Sequence, residues 1–173
     1  YFQAHKPVLD QEAAVGHAVR ALYMYSAMAD VAGYALAGAG DGSWLAACRK
    51  LWENVTKKQM YITGGVGSDV YSEAFTFDYD LPDDTAYAET SAAIALVFFA
   101  WRMLQLQPAA EYADVMERAL YNGVLSGMAE DGKSFCYVNP LAVHPETCTR
   151  RYDHRHVKPV RQKWFGCACC PPN

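Results

Sequence analysis

The sequence predicts a mainly helical protein, in which helical hairpins follow one another as in a solenoid or a closed α/α toroid. Apolar residues recur at three- and four-residue steps through four stretches of the chain. Clusters of glycine or a proline separate these stretches. Beyond residue 141 the periodicity is lost, which predicts a long irregular C-terminal segment.

The first hairpin is predicted over residues 9–59. Val15, Val19 and Leu22 follow helical spacing in a first helix over residues 9–37, and a run of glycines ends it. Ser43 is a suitable N-cap for the second helix. Cys48 lies on the apolar stripe of that helix, so we expect it to be a small core residue.

A long segment without periodicity, residues 61–83, separates the two hairpins and contains Glu73. Loops of this length in compact domains are more often functional than idle. The second hairpin is predicted over residues 85–125, with Asp83 or Asp84 as the first cap and Pro108 opening the second helix. A short β-hairpin is expected at 124–138, turning at residues 131–132.

Composition favours one soluble domain and argues against two classes of partner. The chain has 173 residues, 52% of them hydrophobic and 20% charged, and no apolar run approaches the roughly 18 residues that span a bilayer. The net charge of −4 disfavours nucleic acid and anionic membranes as partners. Because the chain opens on Tyr1 without a methionine, we expect a fragment or a processed product.

Three of the six cysteines lie together near the end of the chain, at Cys167, Cys169 and Cys170. The apolar content suffices for a core without disulfides, so we expect reduced thiols and a reducing, cytoplasmic compartment. Clustered thiolates prefer zinc among the common metal ions. A further ligand has to come from a distant part of the chain. Glu89 is a candidate, although a glutamate in a first helical turn also serves as a partner of the helix dipole.

A cysteine thiolate is also a nucleophile, and it would need a proton donor opposite it. Glu73 is one of several acids that suit this role. His17 is interpreted as a core or groove histidine, whereas Tyr137 is either a core residue or a hydroxyl donor in a pocket.

Six segments together resemble glycoside hydrolase family 127, which contains β-L-arabinofuranosidases. They are residues 3–7, 14–21, 61–68, 78–82, 117–124 and 166–173, the last reading Gly-Cys-Ala-Cys-Cys-Pro-Pro-Asn. The resemblance covers nearly the whole chain, and the cysteine motif is highly specific. It implies that residues 1–173 are one incomplete segment of a catalytic (α/α)6 barrel, and that the parent protein is longer and is a candidate homodimer.

The resemblance also implies a retaining hydrolysis of an L-arabinofuranoside or a related pentoside. Cys169 would be the nucleophile and Glu73 the acid and base, while His17 and Tyr137 would line the sugar site. Zn²⁺ would be held by Glu89, Cys169 and Cys170.

One residue departs from the pattern of the family, which commonly has Glu-x-Cys where this chain has Glu89-Thr90-Ser91. Water or Cys167 would then complete the metal site, or zinc affinity would fall, and we expect a weaker site that still binds zinc. Two other interpretations stay open: a non-catalytic zinc or thiol-redox module, and a fragment without activity of its own.

Overall fold

The computed structural model describes residues 3–38, 40–167 and 169–173, and it contains two helical hairpins in tandem. The helices are α1 (Ala18–Ala37), α2 (Ser43–Lys58), α3 (Thr90–Leu106), α4 (Ala110–Arg118) and α5 (Pro145–Arg150). Helix α4 continues into a π-helical segment (Ala119–Val124) and a 3-10 turn (Leu125–Gly127), and further 3-10 turns cover Val8–Asp10 and Tyr152–His154. A two-stranded antiparallel sheet joins β1 (Gly16–His17) to β2 (Ala74–Phe75). None of the described helices is both long and apolar enough to cross a membrane.

An aromatic core ties the four long helices together. The ring of Trp52 in α2 lies 5.6 Å from that of Phe99 in α3 and 4.8 Å from that of Tyr112 in α4, in edge-on geometry. Tyr25 of α1 packs on Phe99 at 5.8 Å, and helix α3 lies at the centre between α1 and α4. The predicted mainly helical fold is confirmed, and Cys48 is fully buried in this core as expected.

Helix α1 begins nine residues later than the periodicity predicts. Gly16 and His17 are not helical, because their backbones pair with Phe75 and Ala74 in the sheet. Gly16 has a φ of +75°, a conformation that glycine adopts without strain. Apolar spacing cannot reveal that a distant strand takes these backbone groups.

Helix α3 also starts later than predicted, at Thr90 instead of Thr85, and its N-cap is Glu89 instead of Asp83 or Asp84. The preceding residues are not helical, because they bond to other segments: the N–H of Ala88, whose φ is +39°, donates to the carbonyl of Gly67 at 2.8 Å.

The aspartate predicted as a cap has another role, since Asp84 binds a buried histidine. His154 Nε2 lies 2.9 Å from Asp84 Oδ2, and its Nδ1 lies 2.8 Å from Asp153 Oδ1. The histidine is 1% exposed. These hydrogen bonds hold the C-terminal segment against the loop before α3.

Three smaller predictions need correction. The N-cap of α2 is Gly42, and Ser43 is the first helical residue, whose N–H donates to Asp41 Oδ1 at 3.0 Å. The predicted helix over 109–125 changes from α to π geometry at Ala119. The β-hairpin is reduced to a turn and one bridge, Met128 to Phe135, because Phe135 also pairs with Gln162 from the C-terminal segment.

Candidate functional site

A tight turn at residues 69–74 presents Glu73 to the start of α1. Both oxygens of Asp69 are engaged, since they accept the N–H groups of Tyr71 at 3.2 Å and Ser72 at 2.8 Å. Glu73 follows with a φ of +53°, a region that non-glycine residues seldom occupy and that is common at functional sites. Its Oε2 lies 3.0 Å from Nε2 of His17, so the short sheet brings together two of the predicted site residues.

The N-terminus of α3 presents the second carboxylate, Glu89, which is 3% exposed. The N–H of Thr90 donates to the carbonyl of Tyr137 at 2.9 Å, and Glu89 forms a β-bridge with Val138. Asn139 closes the arrangement by donating to Thr90 Oγ1 at 2.9 Å. Glu89 and Tyr137 are therefore held in register by backbone pairing, although 48 positions separate them in the sequence.

The two cysteines meet these residues from the C-terminal segment. Cys169 Sγ lies 3.1 Å from Glu89 Oε1 and 2.8 Å from the Tyr137 hydroxyl. The hydroxyl of Ser91, one position beyond Thr90 in α3, donates to Cys170 Sγ at 3.1 Å and lies 3.5 Å from Cys169 Sγ. Cys169 and Cys170 are unpaired, with their sulfurs 4.0 Å apart.

Glu89, Cys169 and Cys170 form a donor set that fits a zinc ion. Tetrahedral Zn²⁺ with Zn–S bonds of about 2.3 Å and a Zn–O bond of about 2.1 Å separates two sulfurs by about 3.8 Å, and a sulfur from an oxygen by about 3.6 Å. The corresponding distances here are 4.0 Å between the sulfurs, and 3.1 and 3.9 Å from the sulfurs to Glu89 Oε1. Thiolate and carboxylate donors at this spacing suit zinc better than the hard cations magnesium and calcium.

The predicted residues line one open cleft of about 690 Å³, a volume typical of small-ligand sites. Its walls include His17, Glu73, Glu89, Tyr137 and Cys169, together with the exposed Cys167. Ligand atoms of His17, Glu73 and Glu89 all lie within 4.8 Å of one another. Cys170 is buried behind this wall and does not line the cleft, whereas Cys169 does. Ala168, between the lining cysteines, lies outside the described ranges.

Burial governs the ionisation of the site. It raises the pKa of Cys170 to about 12, and it also raises the pKa of Cys169 above that of a free thiol. Burial and the hydrogen bond with Cys169 raise the pKa of Tyr137, so its hydroxyl keeps its proton. A cation held between the sulfurs would reverse this balance, because positive charge stabilises thiolates.

Tyr87 and His156 line the cleft and were not predicted from the sequence as site residues. Tyr87 packs edge-on against Tyr137, with ring centres 6.3 Å apart, and stacks on His156 at 5.8 Å. Burial, and then the charge of Glu73, raise the pKa of Tyr87. No local spacing indicated Tyr87, because Ala88 between it and Glu89 has a φ of +39° and the segment lacks the alternation of an extended strand.

The end of the cysteine segment is fixed by Asn173, which sequence reasoning also missed. Its Oδ1 accepts the Tyr23 hydroxyl at 2.6 Å, and its Nδ2 donates to the carbonyl of Cys169 at 3.0 Å. Tyr23 and Asn173 are 150 positions apart, so no local pattern indicates this contact.

Fold and site together define a helical fold with a candidate catalytic cleft, where Cys169 and Cys170 contact Glu89 and the Glu73 carboxylate lies close by. The chain belongs to the family described as the β-L-arabinofuranosidase GH127 catalytic domain, which matches residues 1–173.

Individual relatives agree with this assignment. The chain is 47% identical over 173 residues to a non-reducing end β-L-arabinofuranosidase of Bifidobacterium longum subsp. longum, covering all of this chain and 26% of that protein. A crystal structure of a GH127 β-L-arabinofuranosidase from Geobacillus stearothermophilus T6 superposes with a TM-score of 0.93 at 68% identity, over 99% of this chain and 26% of that one. A second solved structure, a GH127 β-arabinofuranosidase, gives 0.86 at 50% identity, over 99% of this chain and 24% of that one. The chain thus spans about a quarter of the length of these relatives.

Proposed function

We propose that the protein is a retaining glycoside hydrolase that releases β-L-arabinofuranose, or a related pentose, from the non-reducing end of a carbohydrate. One observation carries the proposal: a nucleophile-type thiol and a proton-donor carboxylate face the same cleft. Cys169 contacts Glu89 at 3.1 Å, and Glu89 in turn lies within 4.8 Å of Glu73 and His17. The names of the relatives supply the class of sugar.

In the first step, the Cys169 thiolate attacks the anomeric carbon as the bond from that carbon to the leaving oxygen breaks. The Glu73 carboxyl gives its proton to the leaving oxygen, so the aglycone departs as a neutral alcohol. His17, 3.0 Å from Glu73 Oε2, orients this carboxyl. Cys169 suits the attack better than Cys170, because Cys169 lines the cleft and Cys170 is buried.

In the second step, water attacks the same carbon and displaces the sulfur. The Glu73 carboxylate takes a proton from this water, and Cys169 is released as the thiolate. Two displacements at one carbon retain its configuration. Tyr137, 2.8 Å from Cys169 Sγ, donates a hydrogen bond to the sulfur when the thiolate is present.

Glu89, Cys169 and Cys170 would hold the zinc ion. When bound, it would supply a positive charge that keeps the thiol ionised at neutral pH. Glu89 is suited to this role because it is buried and is fixed as the N-cap of α3.

Glu73→Gln tests the proposal, since the amide has the size of the carboxyl but cannot give a proton. We expect kcat/KM on methyl β-L-arabinofuranoside, whose alkoxide leaving group needs the proton, to fall by about 10²–10⁴, with the zinc content unchanged. Measurements use the complete protein, with Glu130→Gln, an exposed glutamate outside the cleft, as the matched control. NMR of the product before mutarotation should show the β anomer.

Two results would contradict the proposal. Unchanged activity in Glu73→Gln would remove the proton donor from the mechanism. Zinc binding without hydrolysis of any pentoside by the wild-type protein would favour a non-catalytic metal or redox module. The vicinal sulfurs at 4.0 Å also suit that alternative.

A further inference from the structure

A row of exposed side chains leads away from the cleft on the side of Glu73. The rings of Tyr71 and Tyr152 stack with an interplanar angle of 21° and centres 6.3 Å apart, and they are 69% and 68% exposed. The guanidinium carbon of Arg155 lies 5.1 Å from the centre of the Tyr152 ring. We call Tyr71, Tyr152 and Arg155 the aromatic platform.

The aromatic platform is connected to the cleft at both of its ends. Arg155 itself lines the cleft. Tyr71 belongs to the same turn as Glu73, and the N–H of Tyr71 donates to the Asp69 side chain that shapes this turn.

The third member is anchored equally well. Tyr152 opens the 3-10 turn Tyr152–His154, and the buried His154 ties that turn to Asp84 at 2.9 Å. The platform therefore combines exposed side chains with firmly held backbones, which lowers the entropy lost when a ligand binds.

We propose that the aromatic platform binds the sugar ring that leaves with the glycosidic oxygen. The inference rests on the proposed function, in which Glu73 protonates the leaving oxygen, so the aglycone must lie on the side of Glu73. Sugar rings present C–H faces that pack on the electron-rich faces of tyrosines, and hydroxyls that accept hydrogen bonds from guanidinium groups. The platform would therefore favour substrates whose leaving group carries a sugar ring over those whose leaving group has none.

Tyr152→Ala tests this selectivity with two substrates of the complete protein. One is a disaccharide with β-L-arabinofuranose at its non-reducing end, and the other is methyl β-L-arabinofuranoside, whose leaving group has no ring. We expect kcat/KM for the disaccharide to fall roughly fivefold to tenfold, and kcat/KM for the methyl glycoside to stay within about twofold. Tyr71→Ala should behave alike, and Tyr34→Ala, at an 82% exposed tyrosine of α1, is the matched control.

Several outcomes overturn the proposal. Equal losses on both substrates would mean that Tyr152 orders the cleft instead of binding the aglycone, and an unchanged disaccharide rate would mean that it does neither. Saturation-transfer NMR tests binding of the disaccharide without turnover. It compares the Glu73→Gln variant with the double variant that also carries Tyr152→Ala. Loss of transfer to the reducing-end ring alone supports the platform, and equal transfer refutes it. If the wild-type protein cleaves neither substrate, the proposed function is refuted. The NMR binding measurement then still tests the aromatic platform separately.

Discussion

Ser91 determines how much negative charge surrounds the cysteine pair, and with it the expected zinc affinity. Its hydroxyl lies 3.1 Å from Cys170 Sγ and 3.5 Å from Cys169 Sγ, which is hydrogen-bond distance to sulfur. As a neutral hydroxyl, it stabilises the sulfurs without adding the negative charge of a third thiolate. A weaker zinc site than one with three thiolates follows from this donor set, and we propose it as a property of this chain.

Ser91→Cys should therefore strengthen zinc binding. The new sulfur would take the place of a hydroxyl that already faces both thiols, and thiolate is the better zinc ligand. Competition with a chromogenic chelator on the reduced protein should show affinity raised by roughly tenfold or more. Ser126→Cys adds a thiol at an exposed position and should leave the affinity unchanged. Equal affinities for wild type and Ser91→Cys would contradict the assignment of Ser91.

The residue types in the sequence indicated candidate metal ligands and proton donors, but not which of them lie together in space. The cysteine cluster was visible at once, and the resemblance to a family singled out Glu73, Glu89, His17 and Tyr137 among many similar residues. The structure brings these four side chains and Cys169 to one cleft, with Cys170 buried behind its wall. Tyr152 and Arg155 gave no signal, because exposed aromatic and basic residues in a loop have no periodicity that relates them to a site.

Among the elements, the glycines of the long loop are explained by packing. A side chain on Gly64 would place its Cβ 2.7 Å from Cα of Ala119, at the start of the π-helical segment. A Cβ on Gly67 would lie 3.0 Å from Cβ of Ala18 at the start of α1. The loop thus fits closely against the two helical hairpins, and this fit positions the turn that presents Glu73.

Gly64→Ala should destabilise the fold by about 2–4 kcal/mol, because it combines a positive φ with a backbone clash. Gly64 has a φ of +88°, and Gly132 has one of +67° with no atom within 4 Å of the place where a Cβ would lie. Gly132→Ala therefore isolates the cost of the backbone conformation and should lose only about 1 kcal/mol. Urea denaturation followed by circular dichroism measures both. Equal losses would show that the contact with Ala119 does not restrict the loop.

Element types were predictable from the sequence, whereas element boundaries were not. Apolar spacing identified all four long helices, because each contributes apolar side chains to the common core. The starts of α1 and α3 were misplaced by several residues, since hydrogen bonds to residues 67, 73–75 and 137 keep the preceding backbone out of the helices. Those bonds join segments far apart in the chain and leave no mark on local spacing.

At the scale of the whole molecule, the contact between His154 and Asp84 makes the folding stability depend on pH. Hydrogen bonds to Asp153, and then to Asp84, raise the pKa of His154, and the same histidine lowers the pKa of Asp84. Arg151 and His154 together lower the pKa of Asp153 to about 2. The histidine contributes stability that is complete below its ordinary pKa of about 6.5 and is lost as the pH rises through the raised value. The aspartates contribute stability that is lost as the pH falls below about 4.

His154→Gln should therefore flatten the loss of stability on the alkaline side. Between about pH 6 and pH 9 the free energy of unfolding should fall more for the wild type than for the variant, because only the wild type loses a charged histidine. His144→Gln, at an exposed histidine of the same segment, should retain the wild-type slope. Thermal melting across this range measures the difference, and parallel curves for wild type and His154→Gln would contradict it.

The contact between Glu89 and Cys169 also fixes an order of assembly, because it spans 80 positions of the chain. As a chain leaves the ribosome, neighbouring helices can pair before a distant segment arrives. The two helical hairpins are local in sequence, so they can form while the cysteines are still being synthesised. The thiols then reach a carboxylate that the N-terminus of α3 already holds in place. A metal ion that binds at this point would stabilise helices that have already packed, and would not be needed to start folding.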